Sequence, residues 1–154
     1  MVLFKIAGAQ IVPEIDMYPN ETIFDLKDKI EEKLGVGIHR QALWYQETKL
    51  KDEARIRDYG FHCDTTLILT VTPLPPDLKL HVLVKFNGSN GYVRVRETDK
   101  VSDLRRKVEK YWAIPQQLFA LRRFKVEMKD SYPLSAYYVT DDSDVELAML
   151  LQPR

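Results

Sequence analysis

The chain has 154 residues, with 23 basic and 23 acidic side chains, one cysteine and 45% hydrophobic residues. The balanced charge argues against electrostatic binding to nucleic acid or to a membrane surface, and a single cysteine excludes an internal disulfide and a cysteine-based zinc cluster. No apolar stretch approaches the roughly 18 residues of a membrane span, and the first residues lack the pattern of a signal peptide. We therefore expect a folded protein of the cytoplasm, the nucleus or both.

The first part of the chain predicts two strands and a helix. The predicted elements are strands at residues 2–6 and 11–17 and a helix over residues 22–34. Apolar alternation in the first strand places Phe4 in the core and Lys5 in solvent. Apolar residues recur every three or four positions in the helix, Thr22 suits the N-cap, and Gly35 offers a C-terminal stop.

Two more strands follow the helix, and then the pattern breaks. The strands are predicted at residues 41–45 and 66–71. Two strands, one helix and further strands indicate an α+β roll in which the helix covers one face of a mixed sheet. The next stretch, T-P-L-P-P-D, has three prolines in five residues, which favours a semi-rigid, extended connector. We predict a domain at residues 1–72, a Pro-rich linker at 73–77 and a second domain at 78–154.

The apolar pattern restarts after the linker at a constant spacing of 78 residues, the distance from Ile23 to Val101. Pairs of core-type residues at this spacing include Ile23 and Val101, Leu26 and Leu104, Ile30 and Val108, Leu34 and Trp112, and Leu43 and Leu121. The spacing predicts a second helix over residues 101–112. A gapless register that preserves apolar type indicates a tandem repeat of one small domain.

Each half of the chain resembles the ubiquitin family, and the first half does so closely. The matching segments are T-I-F-D-L-K-D-K-I-E-E-K-L-G, Q-A-L-W-Y, K-L-K-D, R-D-Y and T-T-L-I-L-T-V in the first half, and V-S-D-L-R-R-K-V-E-K, I-P-Q-Q, M-K-D, P-L-S-A-Y-Y-V and V-E-L-A-M-L in the second. The resemblance implies two tandem ubiquitin-like β-grasp domains, each a ββαββ roll. A gapless alignment would turn Lys5 inward, so strand alternation predicts that the first hairpin of each half is one residue shorter than that of ubiquitin.

The ends of the two halves lack the residues that the resemblance would require for conjugation. Conjugation in this family requires a C-terminal Gly-Gly, whereas the corresponding positions are Pro75–Pro76 and Pro153–Arg154. We therefore expect a non-enzymatic protein that is not conjugated as written. An alternative is a two-domain modifier, similar to the interferon-induced tandem modifiers, that is made from a longer precursor and conjugated to target proteins.

Catalytic, cofactor, metal and small-molecule sites are not expected in this sequence. His39, His62 and His81 are scattered without the spacing of metal ligands. Cys63 follows His62 directly, but neighbours in a turn rarely point at one another and no third orienting group is visible.

The candidate interaction residues of the first half lie on the outer sheet face, away from the helix. They are Ala42, Trp44, Ile68 and Thr70. In ubiquitin-like domains this face usually binds protein partners, so the resemblance implies protein docking here, with components of the ubiquitin system as candidates. A solvent-facing Trp beside an Ile is typical of an interface hot spot. Two other interpretations stay open: Trp44 packs on the second domain or on the linker, or its exposure is incidental.

The matching face of the second half is polar. Its predicted residues are Arg94, Arg96, Arg122 and Glu146. An arginine in place of the tryptophan gives a mixed charged surface, which either is simply solvated or accepts an acidic partner. Basic clusters in this half are offset by acidic residues, which argues against nucleic acid as a partner.

Overall fold

The computed structural model describes residues 1–151, and the chain divides into two compact units, Met1–Pro73 and a second that begins at Leu74. The first unit contains β1 (Val2–Ala7), β2 (Glu14–Met17), α1 (Ile23–Leu34), β3 (Gln41–Tyr45), β4 (Thr48–Lys49) and β5 (Asp64–Val71). The second contains β6 (Leu80–Phe86), β7 (Ser89–Val95), α2 (Val101–Trp112), β8 (Phe119–Arg123), β9 (Val126–Glu127) and β10 (Asp144–Met149). Short 3-10 helices lie at Ile38–Arg40, Ile56–Tyr59, Gln116–Leu118 and Leu134–Tyr137. Two mixed sheets with two helices confirm the predicted α+β class, and they are consistent with two β-grasp domains.

The first unit is a five-stranded sheet in the order β2-β1-β5-β3-β4. The central strands β1 and β5 run parallel, while β1 pairs antiparallel with β2 and β3 pairs antiparallel with β5. The apolar stripe of α1 is fully buried and consists of Ile23, Leu26, Ile30 and Leu34. One amphipathic helix therefore covers the inner face of this sheet and leaves the outer face without a helix.

The ends of α1 follow the predicted capping signals. The Thr22 hydroxyl accepts a hydrogen bond from the Asp25 N–H (3.1 Å), and the Asp25 carboxylate accepts one from the Thr22 N–H (2.9 Å). These two bonds form a capping box, which satisfies backbone donors that the first turn would otherwise leave unpaired. Gly35 ends the helix with φ of 80°, a left-handed conformation that costs glycine little.

The first hairpin has the predicted orientation but a shorter second strand. Phe4 is fully buried and pairs with Ile15, whereas Lys5 is exposed and pairs with Glu14. The prediction that strand alternation overrides the gapless family register is therefore confirmed for these side chains. The second strand starts at Glu14 rather than at residue 11 because Pro13 has no N–H to donate to β1.

The second unit repeats this topology in the order β7-β6-β10-β8-β9. Its inward residues on β6 are the predicted Leu80, Val82 and Val84, all buried. Asn87 and Gly88 close the β6–β7 hairpin, and both have positive φ, as a two-residue turn of this type requires.

An ion pair with a buried cation recurs in the two units at the spacing of 78 residues. Lys27 Nζ lies 2.5 Å from Asp52 Oδ1, and Arg105 Nε lies 3.1 Å from Asp130 Oδ1. Both cations are almost completely buried, whereas both carboxylates are half exposed. Each pair joins the helix to the segment that follows the short edge strand, so polar contacts as well as apolar ones recur at this spacing.

Two features depart from the sequence expectations. Trp112 occupies the position equivalent to the buried Leu34 but is only half-buried, with its ring 4.2 Å from that of Tyr111. The connector is not extended throughout, because the Leu78 N–H donates to the Pro75 carbonyl (3.1 Å) and closes a turn. Proline suits the second position of such a turn, and Pro76 occupies it.

Tyr138 combines an unfavourable backbone with an unsatisfied hydroxyl. Its φ is 55°, at the position where the first unit has Gly60 with φ of 63°. The side chain is 5% exposed, and its hydroxyl has no hydrogen-bond partner within the described residues. Burial raises the pKa of this hydroxyl and leaves it neutral at physiological pH.

Replacing Tyr138 with phenylalanine should raise the free energy of unfolding of the second unit by about 1 kcal/mol, since an unpaired buried hydroxyl is costly. Its neighbour is a matched control: the Tyr137 hydroxyl accepts a hydrogen bond from the Lys129 N–H (2.9 Å). Tyr137→Phe should therefore lower the free energy of unfolding by about 1 kcal/mol. Urea unfolding followed by Trp112 fluorescence in a Trp44→Phe background measures both changes; equal losses in the two variants would contradict the assignment.

Candidate protein-binding face

The four residues predicted for the first unit are neighbours across two strands. Ala42 on β3 pairs with Thr70 on β5, and Trp44 pairs with Ile68. The alternate residues of the same strands, such as Leu43, are buried in the core. Strand alternation therefore places the four side chains together on the sheet face opposite α1. We call these four residues the Trp44 patch.

The indole of Trp44 is held in one orientation by the patch itself. Its Nε1–H donates to the Thr70 hydroxyl at 3.0 Å. Trp44 is half-buried, and Ile68 beside it is 41% exposed. Because the polar atom of the indole is already paired within the patch, the surface available to a partner is the apolar ring and the Ile68 side chain.

Sequence reasoning missed two residues that complete one row across the sheet. Ala7 on β1 pairs with Ile68, and Lys49 on β4 pairs with Trp44. Their positions follow only from the long-range pairing of β1, β4 and β5, for which the chain carries no local signal. In the neighbouring row the exposed Lys5 lies beside Thr66. The apolar patch therefore has lysines on two sides.

The polar residues predicted in the second unit are all exposed but do not form one cluster. Arg122 and Glu146 are direct cross-strand neighbours on β8 and β10. Arg94 lies on β7 opposite His81, with β6 between it and β10. Arg96 follows the end of β7, so it lies outside the sheet.

The reactive side chains in the described part of the chain do not form a metal site. No group of three or more His, Cys, Asp or Glu residues within residues 1–151 lies close enough to hold a metal ion. Cys63 is a free, exposed thiol. The backbone N–H of His81 donates to Asp141 (2.8 Å) and, with the imidazole nearby, holds the pKa of that carboxyl below its usual value. Asp141 is therefore an ionised, paired carboxylate at neutral pH.

None of the helices within residues 1–151 has the length and apolar character needed to cross a membrane.

Comparison with known proteins places a family domain in the first unit. Residues 9–74 match the model of the ubiquitin family. Among solved structures, a chain of the "Crystal structure of ATBAG1 in complex with HSP70" is 22% identical to this chain, with a TM-score of 0.45; the match covers 48% of this chain and 42% of that chain. The matched region thus spans less than half the length of the chain in that solved structure. A ubiquitin-family domain is present at residues 9–74, and the Trp44 patch lies within it.

Proposed function

We propose that this chain is a non-enzymatic interaction module built from two ubiquitin-like domains, at residues 1–72 and 78–154, joined by a Pro-rich linker at residues 73–77. The first domain recruits protein partners of the ubiquitin and proteasome system through the Trp44 patch. The observation that carries this proposal is the exposed Ile68 beside a tryptophan whose indole is fixed by Thr70.

Rigidity is the first reason why this patch suits a binding site. Binding costs free energy when mobile side chains become ordered, by about 0.5–1.5 kcal/mol for each rotamer-rich side chain. The hydrogen bond from Trp44 to Thr70 and the β-branched Ile68 reduce this cost, because both side chains are already restricted before a partner arrives. Large, rigid aromatic residues are also the commonest hot spots of protein interfaces.

The surroundings of the patch indicate the chemistry of the partner. Lys5 and Lys49 are exposed and lie in or beside the row that contains Ile68. An apolar strip on the partner would cover Trp44 and Ile68, and acidic residues beside that strip would pair with the two lysines. Such pairs at the rim of an interface mainly raise the association rate and the specificity.

The patch is tested with two substitutions that act in different ways. Ile68→Asp places a charge in the apolar strip, and Trp44→Ala removes the aromatic anchor. Each should weaken binding to a purified ubiquitin-receptor domain at least about tenfold, the range expected of hot-spot residues. The measurement is an NMR titration of the labelled chain with a panel of such domains, in which shifts should centre on β3 and β5.

The control is Glu32→Lys, which changes the charge of an exposed residue of α1 on the other side of the sheet. This variant should bind as the unmodified chain does. The proposal is wrong if both patch variants keep the dispersed spectrum of a folded domain and still bind normally, or if no domain of the panel shifts the patch resonances.

A further inference from the structure

The edge strand β7 presents unpaired backbone groups to solvent. On its neighbour β6, the N–H groups of His81 and Leu83 point away from β7, toward Asp141 and Ser143. The hydrogen bonds from β6 to β7 are therefore made by the alternate residues of β6, which are Leu80, Val82, Val84 and Phe86. The β7 residues opposite these four use their own N–H and C=O groups in the same bonds. It follows that Asn90, Tyr92 and Arg94 direct their N–H and C=O groups outward.

The equivalent edge of the first unit is guarded by lysines. The outward carbonyls of β2 belong to Glu14 and Asp16. Lys33 Nζ donates to the Glu14 carbonyl (3.2 Å), and Lys29 Nζ donates to the Asp16 carbonyl (3.3 Å). Charged side chains, prolines and short strands are the usual means by which proteins prevent edge strands from pairing with other chains. The four-residue β2, preceded by Pro13, has all three protections.

The second unit retains only part of this protection. Lys107 Nζ donates to the Arg94 carbonyl (2.6 Å), just as Lys29 donates to the equivalent Asp16 carbonyl in the first unit. At the position of Lys33, however, the second unit has Tyr111, and within residues 1–151 no side chain pairs with the outward N–H or C=O of Tyr92. The strand is also longer, with seven residues, and contains no proline.

Exposed tyrosines lie on both faces of this partly protected edge. Tyr92 projects from the outer face of β7 and is 57% exposed. Tyr111 reaches the edge from α2 on the inner face; its ring covers Gly91, where an added Cβ would lie 2.6 Å from the ring, and it is also 57% exposed. Tyrosine is enriched at protein interfaces because it combines apolar area with a polar end.

We infer that β7 pairs antiparallel with β7 of a second copy of this chain, about a two-fold axis at Tyr92. This register places Tyr92 opposite its own copy and Asn90 opposite Arg94 of the other copy. Tyr92 and its copy then exchange two N–H···O bonds, and the Arg94 N–H donates to the Asn90 carbonyl of the other copy, while the Arg94 carbonyl keeps its bond to Lys107. Moving the axis to Arg94 would instead set two like charges opposite one another, which is unfavourable. A symmetric pairing of this kind closes as a dimer and leaves no further edge at this site.

The dimer is tested by the mass of the full chain in solution as its concentration rises. Analytical ultracentrifugation should show the average mass increasing from the monomer value of 18.0 kDa toward twice that value. Tyr92→Pro removes the outward N–H without removing a bond to β6, and it should weaken association at least about tenfold because proline disrupts edge pairing. Tyr92→Thr keeps that N–H and should lose much less.

A second variant introduces into the second unit the lysine that covers the edge strand of the first unit. Tyr111→Lys restores a lysine at the position of Lys33 and should keep the chain monomeric, which also covers the case in which Tyr92→Pro fails to fold. Ile68→Asp, on a different surface, should leave the dimer intact. The inference is overturned if the unmodified chain stays monomeric at all concentrations, if Tyr111→Lys dimerises normally, or if Ile68→Asp abolishes association.

Discussion

Replacing Arg123 with methionine should lower the free energy of unfolding of the second unit by about 3 kcal/mol, since an unsatisfied buried carbonyl costs about 1 kcal/mol or more. The Arg123 side chain is 3% exposed. Its guanidinium donates to the carbonyls of Tyr137 (2.8 Å), Tyr138 (3.1 Å) and Asp144 (3.0 Å). These bonds tie β8 to the end of a short 3-10 helix and to the start of β10, so one side chain holds the segment that lies 14 to 21 residues further along the chain.

The expected loss of stability on Arg123→Met does not depend strongly on pH near neutrality. Burial lowers the pKa of Arg123 to about 10, with the Asp144 carboxylate opposing that shift. The guanidinium therefore remains protonated at pH 7 in the folded state. Methionine matches the apolar length of the arginine stem, so the loss should arise from the three carbonyls rather than from a large cavity.

The neighbouring Arg122 provides a matched control, because the same substitution there acts on an exposed side chain. Arg122→Met should change the free energy of unfolding by no more than about 0.5 kcal/mol. Chemical denaturation followed by Trp112 fluorescence in a Trp44→Phe background reports on this unit for both variants. Similar losses at the two positions would mean that Arg123 does not have the described role.

Phe4→Ala should lower the free energy of unfolding of the first unit by about 3–5 kcal/mol, the usual cost of truncating a buried phenylalanine. Phe4 is fully buried, and its ring meets that of Phe61 edge to face at 5.1 Å. Phe61 also contacts the rings of Tyr45 and Tyr59, so the substitution opens a cavity beside a cluster of aromatic side chains. These neighbours are large and mutually packed, which limits their collapse into the space.

Lys5→Ala is the control for the register of the first hairpin. The Lys5 side chain is exposed on the outer face, so its truncation should change the free energy of unfolding by about 0.5 kcal/mol or less. Equilibrium unfolding followed by Trp44 fluorescence in a Trp112→Phe background compares the two variants. If Lys5→Ala proved as damaging as Phe4→Ala, the alternation of β1 would be wrong by one residue.

The local elements of this protein could be predicted from its sequence with little error. The end of α1 at Leu34, the capping role of Thr22 and the bounds of β3 and α2 match the predictions. Alternation also identified which residues of β3 and β5 project outward, and so it placed Ala42, Trp44, Ile68 and Thr70 on one face. The binding role of that face remains a prediction that the Ile68→Asp experiment tests.

Which residues lie together on each candidate face depended on strand pairing between distant segments of the chain. Ala7 and Lys49 join the row of Trp44 only because β1 and β4 lie on either side of β5 and β3. For the same reason, Arg94 and Glu146 are both exposed but belong to strands that β6 separates. Strand order is decided by long-range hydrogen bonding, which leaves no periodic signal in the chain.

The sequence alone determined the helices, the strand faces and the repeat at 78 residues, because caps and periodicities act between residues a few positions apart. Only the tertiary structure decided which strands lie at the edges of the sheets and which backbone groups remain unpaired there. The exchange of Lys33 for Tyr111 between the two units looks minor in the sequence. Its consequence, a Tyr92 carbonyl that no lysine within residues 1–151 covers, appears only once α2 is packed beside that strand.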